Sequence, residues 1–274
     1  MVIANNLEFD LISYNLITYD SVSSTQDIAK AWLRARDGAG ERANPNIQAD
    51  IPKHVASKNT ILRAVSQHGG HGQQRRNWQS YSGGSYQTVL IQPENLPQDR
   101  TRLACSSLWM GLSIARELRT LGNEVFVKWP NDLYWHEKKI AGILCEQVRG
   151  WLVVGVGVNV HNPIPETARR LEHHALETVH ERVLTGISQG LHALNGQQSL
   201  SVAFQNVDFL AGRKIRLHAQ QLLAADGQVL KYPTDTSYTA YAAGIHDTGW
   251  LAVNIPDVNH NRPVYCRDGR VLAW

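Results

Sequence analysis

The sequence predicts an α+β fold: a mixed or antiparallel central sheet with helices, followed by a small separate β unit. Three observations carry this prediction. Strand-like apolar runs Val125–Trp129, Lys139–Val148 and Trp151–Val160 are joined by hairpin-length links, His136-Glu137-Lys138 and Arg149-Gly150. Two segments keep helical spacing: Leu103, Met110, Ile114, Leu118 and Leu121, then Leu176, Val179, Val183, Ile187, Leu191 and Leu194. After about Asp208 the style changes to short strand-like pieces separated by turns.

Taken in order, residues 10–20 have strand composition. A helical pattern with Ile28, Trp32 and Leu33 follows, and Ser24 with Asp27 three residues later resembles a capping box. Residues 37–59 are rich in Gly, Pro, Asn, Asp and Lys and read as a surface loop. Thr60–Val65 reads as a strand, His68–Arg76 as a glycine-rich loop ending at Trp78, and Tyr86–Gln92 as the next strand. Gly122 ends the first long helix. The β pieces near the end are Lys214–Leu217, Gln228–Leu230, Tyr238–Ala243, Trp250–Val253 and Val264–Cys266, with turns at Asp226-Gly227 and Asp268-Gly269. The expected division is 1–208 and 209–274.

Composition narrows the functional classes. The 274 residues are 43% hydrophobic and 19% charged, which excludes a disordered chain. A net charge of +3 is too small to mark a nucleic-acid binder. Cys105, Cys145 and Cys266 are widely spaced with no CxxC pair, so they read as small buried thiols of a reducing compartment. No basic, apolar leader opens the chain and no apolar stretch is long enough for a membrane span. The expectation is a soluble cytoplasmic protein.

Four segments carry chemistry. Gln67 to Trp78 (QHGGHGQQRRNW) combines glycines that let backbone approach a ligand with Arg75 and Arg76, which can neutralise phosphate; it is neither a P-loop nor a GxGxxG turn. By itself it is as readily a mobile surface loop as an anion-binding one. Lys128-Trp129-Pro130-Asn131-Asp132 puts two polar groups at a strand tip, although composition alone reads a plain turn. Lys138 and Lys139 open an apolar strand; period 2 sends them to opposite faces, so one at most lines a pocket. Gly155 and Gly157 break a strand where another element or a ligand approaches, and Asn159 in that apolar run needs a partner, structural or ligand.

In this order the segments resemble the biotin protein ligases (biotin–[acetyl-CoA-carboxylase] ligases). The resemblance runs from about Tyr19 onward and is strongest in KWPNDLYWHEKKIAGILCE and GVGVNV, good in SVSSTQ, and weakest over the last 66 residues. It implies the fold shared with lipoate ligases and class II aminoacyl-tRNA synthetases, with an SH3-like C-terminal domain. It also implies a reaction: biotin and MgATP give biotinyl-5′-adenylate, and biotin then passes to a lysine of a biotin carboxyl carrier protein domain. Residue by residue, the resemblance assigns Lys139 as the catalytic lysine. Ser24, Thr25, Gln26, Gln67, His71, Gly72 and Gln73, with Lys139, would bind biotin. Gly70, Arg75, Arg76, Trp78, Lys128, Asn131, Asp132 and Asn159 would surround the nucleotide, and Asp132 would face Mg²⁺.

The loop departs from the family's GRGRxGRxW. His71 and Gln73 replace two arginines and Arg75 replaces a glycine, while Arg76 keeps the third arginine. Each lost charge-assisted hydrogen bond costs on the order of 1.5–3 kcal/mol, which should weaken adenylate retention. SVSSTQ begins about 21 residues in, so no DNA-binding domain and no nucleic-acid or membrane partner are expected. Monomer and homodimer both stay open. The alternatives are a non-catalytic biotin or adenylate binder, and a lipoate or octanoate ligase of the same fold.

Overall fold

Two opposed rows of side chains on one sheet organise the chain. The computed structural model describes residues 2–9, 12–35, 59–224, 226–230, 236–256, 258 and 262–274. The predicted 37–59 loop therefore lies, but for Asn59, outside the described residues. Strands β1 (Val2–Phe9), β2 (Ile12–Val22), β3 (Asn59–Gln67), β4 (Ser85–Ile91), β5 (Phe126–Lys128), β6 (Asp132–Trp135), β7 (Lys138–Val148) and β8 (Trp151–Val158) form a sheet in the order β1-β2-β3-β4-β8-β7-β6-β5. Its β2–β3 pair is parallel and the others are antiparallel, so the sheet is mixed, as predicted.

Period 2 then sorts neighbours to opposite sides. Leu16, Ile61, Val89 and Leu152 join the main core, where α3 (Ser106–Arg119) packs on α4 (Leu176–Asn195). Their neighbours Ile17, Leu62, Leu90 and Val153 join a smaller cluster with Ile28, Ala29 and Leu33 of α1 (Thr25–Ala35). α1 starts where the Ser24 pattern predicts: the Asp27 N–H donates to Ser24 Oγ at 3.3 Å.

Several boundaries differ from the sequence reading. The first long helix is two: α2 (Arg100–Ala104) and α3, separated at Cys105, whose ψ of 8° leaves the helical region. Asp99 caps α2 through the N–H groups of Thr101 and Arg102. Val2–Phe9 and Asp132–Trp135 are strands that the sequence reading did not list. Both predicted hairpins exist as two-residue loops, His136-Glu137 and Arg149-Gly150, with all four residues at positive φ. That is the twist-matching type I′ geometry.

α5 (Leu200–Phe204) leads to a closed barrel of β9 (Lys214–Leu223), β10 (Thr236–Ile245), β11 (Leu251–Asn254) and β12 (Val264–Ala273). Asp268-Gly269 is not a turn but an irregularity within β12, where its register against β9 shifts. Asp226-Gly227 does turn, with Gly227 at φ +84°. No helix among the described residues is long and apolar enough to cross a membrane.

Asp208 sits between the sheet and the barrel. Burial pushes its carboxyl from 3.8 up to about 6, against the opposing pull of the Leu210 and Ala211 N–H groups. The folded state thus holds this proton more tightly than the unfolded chain. Its contribution is fully present below pH 3.8, is lost as pH rises to about 6, and stays lost above. Asp208→Asn should therefore stabilise the protein at pH 7 by about 1–3 kcal/mol and change little at pH 3.5, as read by urea unfolding.

Candidate active site

The site lies on the α1 side of the sheet, where the smaller apolar cluster stops. On β8 the positions facing that side are Trp151, Val153, Gly155 and Gly157; the first two pack with α1 and the glycines leave space. A Cβ at 155 would fall 2.5 Å from Gln26 Oε1, and one at 157 only 2.6 Å from Trp78 Nε1. Gly142 of β7, paired with Gly157, extends this floor beneath the Trp78 ring. The close approach expected at the β8 glycines is thus made by two side chains of the protein itself.

Above the floor is a cavity of about 120 Å³. It brings together Ser24, Thr25, Gln26, Gln67, His71, Gly72, Gln73, Arg76, Trp78, Asn131, Asp132 and Lys139, segments spread over more than a hundred residues of chain. Four other predicted residues stand outside it. Gly70 is buried at the base of the loop against Gln67, Trp78 and Ser80, and Arg75 is exposed on its outer part. Lys128 is buried, its Nζ 4.4 Å from the centroid of the Trp274 ring, and burial pushes its pKa down. Asn159 lines a second cavity of about 810 Å³ on the far side of Lys139 and Trp78, with Tyr134 and Trp274. Its side-chain partner is structural: Asn162 Nδ2 donates to Asn159 Oδ1 at 3.1 Å.

Lys139 separates the two cavities and lines both. Its Nζ is 2.7 Å from Asp132 Oδ1 and 5.0 Å from the centroid of the Trp78 ring. Lys138 is exposed, yet it lines the second cavity together with Lys139, so the alternation does not confine pocket lining to one of the pair. Trp129-Pro130 is a cis peptide, and after it Asn131 Nδ2 donates to the Ile143 carbonyl at 2.8 Å. The preceding strand ends at Lys128, so Asn131 lies in the turn and Asp132 begins β6 instead of sitting at that strand's tip.

At the other end, Gln67 Oε1 accepts from the Thr25 N–H at 2.8 Å and from Thr25 Oγ1 at 3.1 Å, while Gln67 Nε2 donates to Ser80 Oγ. The oxygen is saturated and one amide hydrogen remains for a ligand. Gln26 Nε2 donates to Glu146 Oε2 at 2.9 Å, and Thr88 Oγ1 donates to Thr25 Oγ1 at 2.8 Å. Glu146, Thr88, Tyr86 and Lys30 were not singled out from the sequence. The first three occupy α1-facing positions on β7 and β4, so counting by two from Gly142 or Leu90 finds them.

The glycine loop is ordered by its own backbone. The N–H of Gly69 donates to Ser23 O, that of Trp78 to Gly70 O and that of Gly72 to Arg76 O, all within 2.8–2.9 Å. Gln74 and Arg75 both sit at φ +54°, which side chains disfavour. The loop ends by placing the Trp78 indole into the cavity, with its Nε1 buried and without a hydrogen-bond partner.

Residues 41–162 match the biotin/lipoate A/B protein ligase family. The bifunctional ligase/repressor BirA of Bacillus subtilis is 27% identical over 191 residues, 65% of this chain and 51% of that protein. BirA of Escherichia coli is 38% identical over 104 residues, covering 35% and 32%. The chain thus spans about half the length of the first of these relatives and a third of the second. The biotin protein ligase of Aquifex aeolicus, solved in complex with biotin and ATP, superposes with a TM-score of 0.69 at 22% identity, over 94% of this chain and 99% of that one. The matched segment, residues 41–162, is thus similar to the biotin/lipoate A/B protein ligase family, and the chain has the fold of the Aquifex aeolicus biotin protein ligase.

Proposed function

We propose that this chain is an ATP-dependent ligase that joins biotin to AMP and then transfers biotin to a lysine of a biotin carboxyl carrier protein domain. The observation that carries the reading is Lys139, whose ammonium stands between the two cavities, paired to Asp132 and covered by Trp78. Biotin in the first cavity would meet Ser24, Thr25 and Gln67 with its ureido group and the glycine floor with its rings. Its carboxylate would reach Lys139, and ATP in the second cavity would present its α-phosphate to the same ammonium. Attack of the carboxylate oxygen on the α-phosphorus forms the mixed anhydride and expels pyrophosphate. Lys139 offsets the charge that builds there, a positioning and electrostatic role.

Mg²⁺ suits this site only as an ion carried by the phosphates. Among the described residues no three His, Cys, Asp or Glu converge; Asp132 lines the first cavity beside Lys139, and Glu137 and Glu166 line the second. A hard cation held by one carboxylate, phosphate oxygens and water fits that donor set. Of the residues expected around the nucleotide, Asn159 lines the second cavity, Asn131 lines the first, and Lys128 lies buried against Trp274, which lines the second. A division into a catalytic part (1–208) and an SH3-like part (209–274), and a cytoplasmic location, belong to the same proposal.

An acyl transfer through a cysteine is disfavoured. Burial pushes the Cys105 thiol up to about 11 and the Cys145 and Cys266 thiols up to about 12, so none supplies a thiolate. The test is ATP–pyrophosphate exchange with biotin, lipoate or octanoate as the acid. Exchange with biotin alone is expected. Exchange with another acid reassigns the substrate, and biotin binding with no exchange makes the chain a binder.

A further inference from the structure

Two of the three residues by which the glycine loop departs from the family pattern, His71 and Arg75, converge on one carboxylate. Asp27, in the first turn of α1, has Oδ1 3.6 Å from His71 Nε2 and Oδ2 3.8 Å from Arg75 Nη2. His71 is largely shielded, and its Nδ1 lies 3.2 Å from the Gly69 carbonyl oxygen, so both ring nitrogens face acceptors. Behind Asp27 the chain of charges continues inward. Lys30 Nζ is 3.2 Å from Asp27 Oδ1 and 3.0 Å from Glu146, and Glu146 accepts from Gln26 on the cavity floor.

We propose that Asp27 is a positioning residue that holds the glycine loop closed over the cavity through His71 and Arg75. Exposed ion pairs are weak one at a time, and Arg75 is solvent-exposed. Here, however, the carboxylate is fixed by helix α1 and by buried Lys30, so little freedom is lost when the loop arrives. The loop needs such a hold, because Gln74 and Arg75 keep unfavourable positive φ values and the loop's backbone bonds run mostly within itself. A loop that closes against the protein's own carboxylate depends less on arginines that grip a bound phosphate. The inference rests on the ligase reading only for its kinetic consequence.

Trypsin tests the hold directly, since Arg75 and Arg76 lie at the loop tip. Asp27→Asn should raise the rate of cleavage after these residues about threefold to tenfold, and Asp27→Glu should restore protection. Biotinyl-adenylate should leave the Asp27→Asn enzyme faster by a similar factor, while initial adenylate formation changes less. Because Asp27→Asn also touches Lys30, Arg75→Gln, read by cleavage after Arg76, gives a second variant that leaves the helix alone. Unchanged cleavage in either variant, at an unchanged melting temperature, overturns the proposal. The cleavage arm needs no biotin, so an inactive parent enzyme would sink the ligase reading and leave this one to be judged by trypsin.

Discussion

Lys139→Ala should abolish biotin-dependent ATP–pyrophosphate exchange, with a loss of at least about 10²-fold in the rate of adenylate formation. The size follows from where the ammonium stands. It is a cation that lines both cavities beside Asp132, so alanine removes a fixed positive charge from the point where phosphate charge is proposed to build. Stability should change by less than about 1 kcal/mol, because the side chain is partly exposed and its ion pair is screened. A folded Lys139→Ala protein with near-parental pyrophosphate exchange would remove this lysine from the role. Binding of biotin, followed by calorimetry, should weaken far less than turnover, since most of the proposed biotin contacts lie at the Thr25 end.

The largest stability effect is expected at Trp109, far from the chemistry. This α3 residue is 1% exposed and belongs to the main apolar core. Truncating a buried tryptophan costs about 3–5 kcal/mol. A second effect is coupled to it. The Arg102 guanidinium lies 5.3 Å from the Trp109 ring centroid and donates to the carbonyls of Ala193, Leu194 and Gln198, closing the end of α4. Without the ring, those carbonyls lose a well-placed donor. Trp109→Ala should lower the melting temperature by roughly 10 °C, measured by circular dichroism. A shift under about 3 °C would mean that the α3–α4 layer does not depend on this side chain.

Much of this site was legible because its chemistry is written in short contiguous runs. Strand alternation allowed only one of Lys138 and Lys139 to line a pocket and the resemblance chose Lys139; the structure places Lys139 alone in the first cavity but both lysines along the second. The β8 glycines signalled a close approach, and the indole of Trp78 and the amide of Gln26 make it. What stayed hidden depends on contacts that form only when the chain folds. Asn159 could not reveal whether it served a ligand or the fold, because Asn162 comes near only after the chain turns. Asp27 read as a helix-start residue, and its loop contacts come from residues more than forty positions away. The split at Cys105 was invisible because α2 and α3 keep one apolar spacing across the break. Val2–Phe9 went unread as a strand for a related reason: its pairing with β2, not a strict alternation, makes it one.

The floor formed by Gly142, Gly155 and Gly157 sets a direction for altering what this pocket accepts. Side chains have already been pared to a hydrogen there, so the floor cannot be excavated further by substitution. Every change at those three positions fills the pocket. Room for a bulkier acid must come from the roof, by trimming Trp78, and that same trimming uncovers Lys139 to water. Under the proposed ligase reaction, breadth of substrate and protection of the activated acid are therefore opposed, and one indole sets the balance between them.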